Sequence, residues 1–432
     1  MSIPENDPVV NFSTAMPSAI IIAARRSPIG RVGGSLKALP VEALMAPVLR
    51  SLLADTGLAA DRVDEVILGN AIGPGGNPAR VALLEAKFPV SVPGLTVDRQ
   101  CGSGLAAINQ AARLIQSGSA DIVIAGGVES CSTAPWRLEK PASLYQLPQF
   151  SHRARFAPDA LGDPDMGRAA ETIAQHYSIS RDRQDAYALH SHQKAIAAIQ
   201  SGRFHSELCP IPISSVTVID HDECPRESLT LKRLARLPPA FEPGGTVTVG
   251  NACPINDGAA AVLMVSSRLI STLPLPANLR HGLRFVDAIA TGVDPTMPGM
   301  GPVAAITRLL QRHPSLSLDD IDWVEFNEAF AAQVLACLDA LAIPVEKVNP
   351  GGGAIALGHP YGASGAILVT RLFTDMLQKP QLSGTQPPQL GQPSAGRALG
   401  LATLGIGGGL GIATLFESID LRVNFQPMDR QA

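Results

Sequence analysis

The chain has 432 residues, 46% hydrophobic and 17% charged, which suits roughly two domains of about 200 residues and excludes a disordered polymer. Its 34 basic and 38 acidic side chains give a formal charge of −4, and that near-balance excludes a carrier of nucleic acid or another polyanion. Forty glycines and 36 prolines without a collagen period announce many tight turns and close backbone approaches.

In chain order, Ile20 to Ala23 reads as a buried strand, followed by a basic turn from Arg25 to Arg31. Val41 to Leu58 has helical periodicity, Val63 to Leu68 is a short strand, and Ala79 to Phe88 is a second helix. Gly94 to Asp98 is a strand that leads into Arg99-Gln100-Cys101-Gly102-Ser103-Gly104, and Leu105 to Gln116 is a helix of small and apolar residues. Ala120 to Ala125 is a strand ending at Gly126-Gly127. The segment of about residues 130–245 breaks this rhythm, holds six of the nine histidines and shows one clear helix, Arg181 to Gln200, with Ser180 as N-cap. It reads as a lid inserted in the first half.

Val247 to Val265 returns to the sheet, and residues 271–280 form a linker. The second half repeats the logic: strand Leu283 to Ala290, helix Pro302 to Arg312, strand Trp323 to Glu325, helix Ala329 to Ala342, a glycine-rich turn Asn349 to Ser364 and a helix from Gly365 to Gln378. A Pro/Gln-rich loop, 379–397, precedes a last hairpin, Ala398 to Phe416. The alternation predicts an α/β protein of two similar halves, 19–270 and 281–421, between an extension (1–18) and a tail (422–432). Cys101-Gly-Ser-Gly-Leu-Ala-Ala and Gly362-Ala-Ser-Gly-Ala-Ile-Leu, each a glycine turn opening an apolar helix, are the visible trace of that repeat.

The six cysteines (101, 131, 209, 224, 253 and 337) show neither zinc spacing nor a disulfide framework. The first 24 residues lack a basic start, and no apolar run approaches the ~18 residues of a membrane span. The expectation is a cytoplasmic protein with reduced thiols, no metal, no bound cofactor, no nucleic-acid partner and no membrane span. The run Gly405 to Gly411 does not fit G-x-G-x-x-G and is followed by a strand-like segment, so no dinucleotide site is expected.

Cys101 lies where a predicted strand meets a predicted helix, a place where free amides and the helix dipole favour a thiolate and lower its pKa. Taken alone it is equally an inert cysteine at a tight turn. His359, between Gly358 and Pro360 in a run nearly devoid of polar side chains, is either a base for a thiol or a core histidine satisfied by backbone. Asn327 and Glu328 open a predicted helix, where Asn327 is either an N-cap or an amide for a Cys-His-Asn acyl-transfer set.

Together these segments are more specific. The chain resembles the thiolase family over residues 19–421, through Arg99-Gln-Cys-Gly-Ser-Gly-Leu-Ala-Ala, Gly126-Gly-Val-Glu-Ser, Gly250-Asn-Ala-Cys-Pro-Ile-Asn-Asp-Gly-Ala-Ala, Asn327-Glu-Ala-Phe-Ala and Gly358-His-Pro. The resemblance implies a layered α-β-α-β-α fold, an acyl-CoA substrate and a homodimer or homotetramer. It makes Cys101 the acylated nucleophile, His359 its activator and Asn327 the holder of a water in one oxyanion hole, shared with His359. The amides of Cys101 and Gly407 form the second. Met166 would line the acyl pocket and Phe330 would contact substrate or CoA, with Cys253 beside CoA and Arg181, Arg183, Lys232 and Arg233 as basic candidates for its phosphates.

One position departs from the family. Carbon–carbon bond-forming thiolases carry a second cysteine in a Cys-x-Gly motif that moves the substrate α-proton, and here the motif reads Gly405-Ile406-Gly407. Gly405 cannot titrate. Three readings follow: thiolysis or Claisen condensation with a substitute acid/base, Cys131 being the candidate; acyl transfer to another acceptor, or decarboxylative condensation; or a non-catalytic acyl-CoA-binding subunit.

Overall fold

The computed structural model describes residues 16–377, apart from 142 and 152, and 398–424, with the side chains of 423 and 424 excluded. Residues 1–15 of the predicted extension, the predicted loop 379–397 and most of the predicted tail lie outside the described residues.

The first half contributes β1 (Ala19–Arg26), β2 (Gly30–Arg31), β3 (Glu65–Gly69), β4 (Gly94–Val97) and β5 (Ile122–Ser130), with helices α1 (Val41–Thr56), α2 (Pro78–Glu85) and α3 (Ser103–Gln116). The lid carries two small hairpins, β6 (Arg137–Glu139) with β7 (Gln149–Ser151) and β8 (Ile211–Pro212) with β9 (Val218–Ile219). It also carries helices α4 (Met166–His176), α5 (Arg181–Gln200) and α6 (Leu231–Leu234). Then come β10 (Asn256–Ser266), β11 (His281–Gly292), α7 (Gly301–Arg312), β12 (Trp323–Phe326), α8 (Ala331–Leu341), α9 (Ala354–Leu357), α10 (Tyr361–Leu377), β13 (Leu399–Ile406), β14 (Leu410–Asp420) and α11 (Leu421–Asn424).

The halves share one sheet, ordered β12-β13-β14-β11-β1-β10-β5-β3-β4, with β2 on β10. The join is narrow: β1 meets β11 at Ile20–Arg284 and Ile21–Leu283. Alternate residues of the strands face different layers, as the two-residue repeat of a strand requires. In β10, Ala259, Ala261, Leu263 and Val265 pack toward α1 and α2, while Ala260, Val262 and Met264 pack toward α3 and α10. In the second half, Leu401, Ala413 and Leu415 face α7 and α8, whereas Ala402, Leu404 and Ile412 face the central helices. The helices form three layers, α1/α2, α3/α10 and α7/α8, with the first-half strands of the shared sheet between the first two and its second-half strands between the last two: five layers, the predicted architecture.

The central layer explains the sequence repeat. A side chain at Gly104 would sit 2.7 Å from the Gly362 carbonyl, and one at Gly365 would land on the Leu105 amide. The glycines let α3 and α10 cross at backbone contact.

Several predicted boundaries move. The Ala120–Ala125 strand runs on through Gly126-Gly127 to Ser130, because a side chain at Gly127 would strike the Gly362 carbonyl; these glycines serve close packing, not a turn. The helix predicted from Gly365 starts at Tyr361. The predicted α5 is reproduced residue for residue, with Ser180 accepting the Arg183 amide, whereas α4 was not foreseen. Among the described residues no helix is long and apolar enough to cross a membrane, and no group of three or more His, Cys, Asp or Glu is placed to hold a metal.

Candidate active site

Cys101 stands two residues before α3, on a turn held by its own neighbours. Gln100 adopts a left-handed φ of 43°, uncommon for a residue with a side chain. Ser103 secures it twice: its hydroxyl accepts from the Arg99 amide (2.7 Å) and donates to the Gln100 carbonyl (2.6 Å). Asp98 accepts from the Gln100 amide (2.8 Å). The sulfur takes hydrogen bonds from the backbone amides of Cys101 and Gly407. Gly407 opens the turn between β13 and β14, where Gly408 and Gly409 have φ of 81° and 78°.

The helix start does not produce a ready thiolate. Burial pushes the Cys101 thiol up to about 12, and the charges of Glu129 and Asp98 push the same way; the two amides oppose this without overcoming it. The expected depression below the ordinary thiol range is therefore corrected: removal from water outweighs the helix N-terminus.

His359 is buried and held at three points. Its amide donates to Asn256 Oδ1 (2.9 Å), Nδ1 lies 2.6 Å from Ser364 Oγ, and Nε2 lies 3.5 Å from Asn327 Nδ2. Burial lowers its pKa to about 4, so the imidazole is neutral near pH 7. Asn327 is not an N-cap, because α8 starts at Ala331; its amide lies beside His359 instead. Glu328 explains that shift. Buried, it accepts from Tyr187 (3.0 Å), Ser191 (2.6 Å), Asn349 Nδ2 (2.8 Å) and the Ile355 amide (3.2 Å), tying α5 of the lid to the loop before His359.

Residues 250–256 thread between these pieces. Cys253 donates its amide to the Ala329 carbonyl (3.0 Å), Ala252 bridges Phe330, and Ile255 bridges His359. Burial and the nearby Cys101 raise the Cys253 thiol above its ordinary range. Cys131 is raised by burial and by the charges of Glu129 and Asp257, and its sulfur takes the Asn256 amide. Glu129, at the end of β5, accepts from Asn70 Nδ2 and from the amides of Ala71, Ile72 and Gly362, yet burial still lifts it to about 7.

Gly405 borders a narrow apolar cavity of about 10 Å³, room for roughly one water, with Met166, Ile173, Ala329, Phe330 and Gln333 around it. A Cβ at 405 would lie 3.2 Å from the Pro298 carbonyl and 3.4 Å from Gly299 Cα, so a small side chain fits with slight yielding. Phe330 also meets Phe241 edge to face at 5.9 Å.

The basic candidates have internal work. Arg181 pairs with Asp185 and donates to the Leu234 and Leu237 carbonyls, Arg183 forms a two-pronged pair with Asp339 of α8, and Arg233 donates to Ser228. Lys232 is on α6 beside Arg233. Cys101, His359, Asn327, Gly407 and Cys131 are thus drawn together from both halves. Ser364, Asn256 and Glu129 were not singled out from sequence, although Asn256 and Glu129 lie inside quoted motifs and Ser364 inside the Ala-Ser-Gly repeat.

Two family models match the chain: the thiolase N-terminal domain over residues 19–268 and the thiolase C-terminal domain over 280–387. A Staphylococcus haemolyticus protein named for acetyl-CoA C-acetyltransferase activity, VraB, is 45% identical over 404 residues, 93% of this chain and 99% of that protein. The Bacillus anthracis acetyl-CoA acetyltransferase crystal structure superposes with a TM-score of 0.83 at 37% identity, covering 94% of this chain and 100% of that one. Human mitochondrial 3-ketoacyl-CoA thiolase in complex with CoA gives 0.82 at 34% identity, over 94% of this chain and 100% of that one. The chain belongs to the thiolase family of acyltransferases.

Proposed function

We propose that this protein transfers acyl groups from acyl-CoA thioesters through an acyl-enzyme on Cys101, cleaving 3-ketoacyl-CoA with free CoA or running the reverse Claisen condensation. The observation that carries this is the seat of the Cys101 sulfur on two backbone amides, its own and that of Gly407, with a neutral imidazole in the same site. With Nδ1–H donated to Ser364, His359 Nε2 presents a lone pair that takes the thiol proton as the sulfur attacks. A thiol and an imidazole that both rest neutral make this transfer concerted with attack. The Cys101 and Gly407 amides stabilise the oxygen on the Cys101-bound carbon in both tetrahedral intermediates; Asn327, through a bound water, and His359 stabilise the CoA thioester oxygen as C2 takes up the electron pair.

Met166 and Phe330 border the acyl chain, and Cys253 lies along the pantetheine arm. Lys232 and Arg233, with the lid arginines Arg181 and Arg183, are the basic residues offered to the CoA phosphates. CoA acts as substrate, no resident cofactor is invoked, and the working unit is a cytoplasmic homodimer or homotetramer.

Gly405 supports a second reading. An apolar cavity without a titratable group at the α-proton position suits decarboxylative condensation, or transfer to an acceptor that needs no deprotonation. Cys131 is the cysteine-for-cysteine substitute, but its thiolate is opposed by burial and two carboxylates. The deciding experiment combines thiolysis of acetoacetyl-CoA and of a longer 3-ketoacyl-CoA with intact-mass detection of acylated Cys101. Turnover of about 1–10³ per second supports thiolysis. Acylation without thiolysis supports the second reading, and a folded protein that never acquires an acyl mass overturns both.

A further inference from the structure

Tyr361 is the first residue of α10, two positions after His359. Its ring meets the imidazole edge to face, with centroids 5.3 Å apart and planes at 82°. Cys101, Cys131, Cys253 and Glu129 all lie within electrostatic reach of its phenol, which sets the ring beside His359 near the nucleophile. A fully buried tyrosine normally finds a hydrogen-bond partner. Tyr187 does, at Glu328, 3.0 Å away. Tyr361 is only partly buried and makes no side-chain hydrogen bond among the described residues, so its hydroxyl stays open to the site. Cys131 is less suited: burial and the charges of Glu129 and Asp257 oppose its thiolate.

We propose that Tyr361 is the proton donor and acceptor of the second half-reaction, doing from α10 what a side chain at position 405 cannot. The proposal rests on the acyl-enzyme reading above. Burial and the surrounding thiols raise the phenol above its ordinary range, so it rests protonated. In thiolysis, the Cys101 sulfur adds to the keto carbon as His359 takes its proton, and the carbonyl pair moves onto oxygen. The bond between C2 and C3 then breaks and leaves its electron pair on C2. The Tyr361 O–H proton passes to C2, giving the shortened acyl-CoA and a phenolate. That phenolate takes the S–H proton of incoming CoA as its sulfur attacks the Cys101 thioester. The carbon–sulfur bond to Cys101 breaks, and the His359 imidazolium returns the proton to the departing thiolate. Every group ends in its starting state.

The test separates the half-reactions in Tyr361→Phe. Acylation of Cys101 by p-nitrophenyl acetate, followed by intact mass, involves no α-proton and releases a nitrophenolate that needs no proton donor, so it is expected to stay within about threefold of wild type. Acetoacetyl-CoA thiolysis, and deuterium exchange at C2 of acetyl-CoA on the acylated enzyme, are expected to fall about 10²–10⁴-fold. Adding Gly405→Cys to Tyr361→Phe is expected to recover at least tenfold of the lost exchange, which a purely structural defect would not permit. Undiminished exchange in Tyr361→Phe overturns the proposal. So does parallel loss of acylation and exchange without recovery by Gly405→Cys. A wild-type enzyme that is acylated but neither exchanges nor cleaves also overturns it and favours the decarboxylative reading. A wild-type enzyme that is never acylated removes the acyl-enzyme reading beneath it.

Discussion

The turn at Cys101 and the hairpin end at Gly405 meet in one site but are furnished differently. At Cys101 a left-handed Gln100, a doubly bonded Ser103, Asp98 and two amides fix one sulfur. At Gly405 the backbone remains while the side chain is absent, and the space beside it is a small apolar void. The hairpin still supplies the Gly407 amide to the far side of the Cys101 sulfur. One strand end thus presents a backbone donor at Gly407 and no side chain at Gly405, because backbone and side chain at a hairpin end are specified independently.

The sharpest way to break that contrast is Cys101→Ser, which is expected to lower acyl transfer by on the order of 10⁴-fold or more. An acyl mass still found at the active site of the serine protein would remove the nucleophile. His359→Ala should slow acylation about 10²–10⁴-fold. The pH profile adds a sign. A base with pKa about 4 is already deprotonated at pH 6.5, so the acid limb of wild-type acylation should lie near 4; a limb near 6.5 would contradict the buried, neutral imidazole. Gly365→Ala is expected to destabilise the protein by about 1–3 kcal/mol in chemical denaturation, because its methyl group meets the Leu105 amide. An unchanged midpoint would mean that α3 and α10 are not in backbone contact. The mildest effect is on alkylation of Cys101 in the unliganded protein. A thiol at about 12 yields thiolate only as pH rises, so the rate should climb about tenfold per pH unit through 8.5 without a plateau.

Much of this was legible in the sequence because it is local. Glycine next to a reactive residue, apolar periodicity and the Ser180 cap each act within a few positions, and α5 was read to the residue. The start of the helix after Asn327 was misplaced for the opposite reason: Glu328 and its lid partners, 137 and 141 positions upstream, hold that loop out of the helix. The Cys101 thiol was misjudged because the helix dipole shows in sequence, whereas the desolvation that defeats it comes from a chain folded over the turn. Tyr361 was placed inside a glycine-rich turn; that it starts a helix, within reach of Cys101, Cys131 and Cys253, depends on segments far apart in the chain.

The narrow seam between the halves bears on how the protein is made. When the first thiolase half, through residue 268, has left the ribosome, α3 presents Leu105, Ile108, Ala112 and Ile115 with no α10 to cover them. Covering that face requires α10, from more than 90 residues later, and seating the Cys101 sulfur requires the still later Gly407. Synthesis at about 5–20 residues per second leaves such a nascent chain adhesive for several seconds. Chaperone demand during translation should therefore concentrate between completion of β10 and arrival of α10, and relocating the chain's start so that α3 and α10 emerge closer together should reduce it.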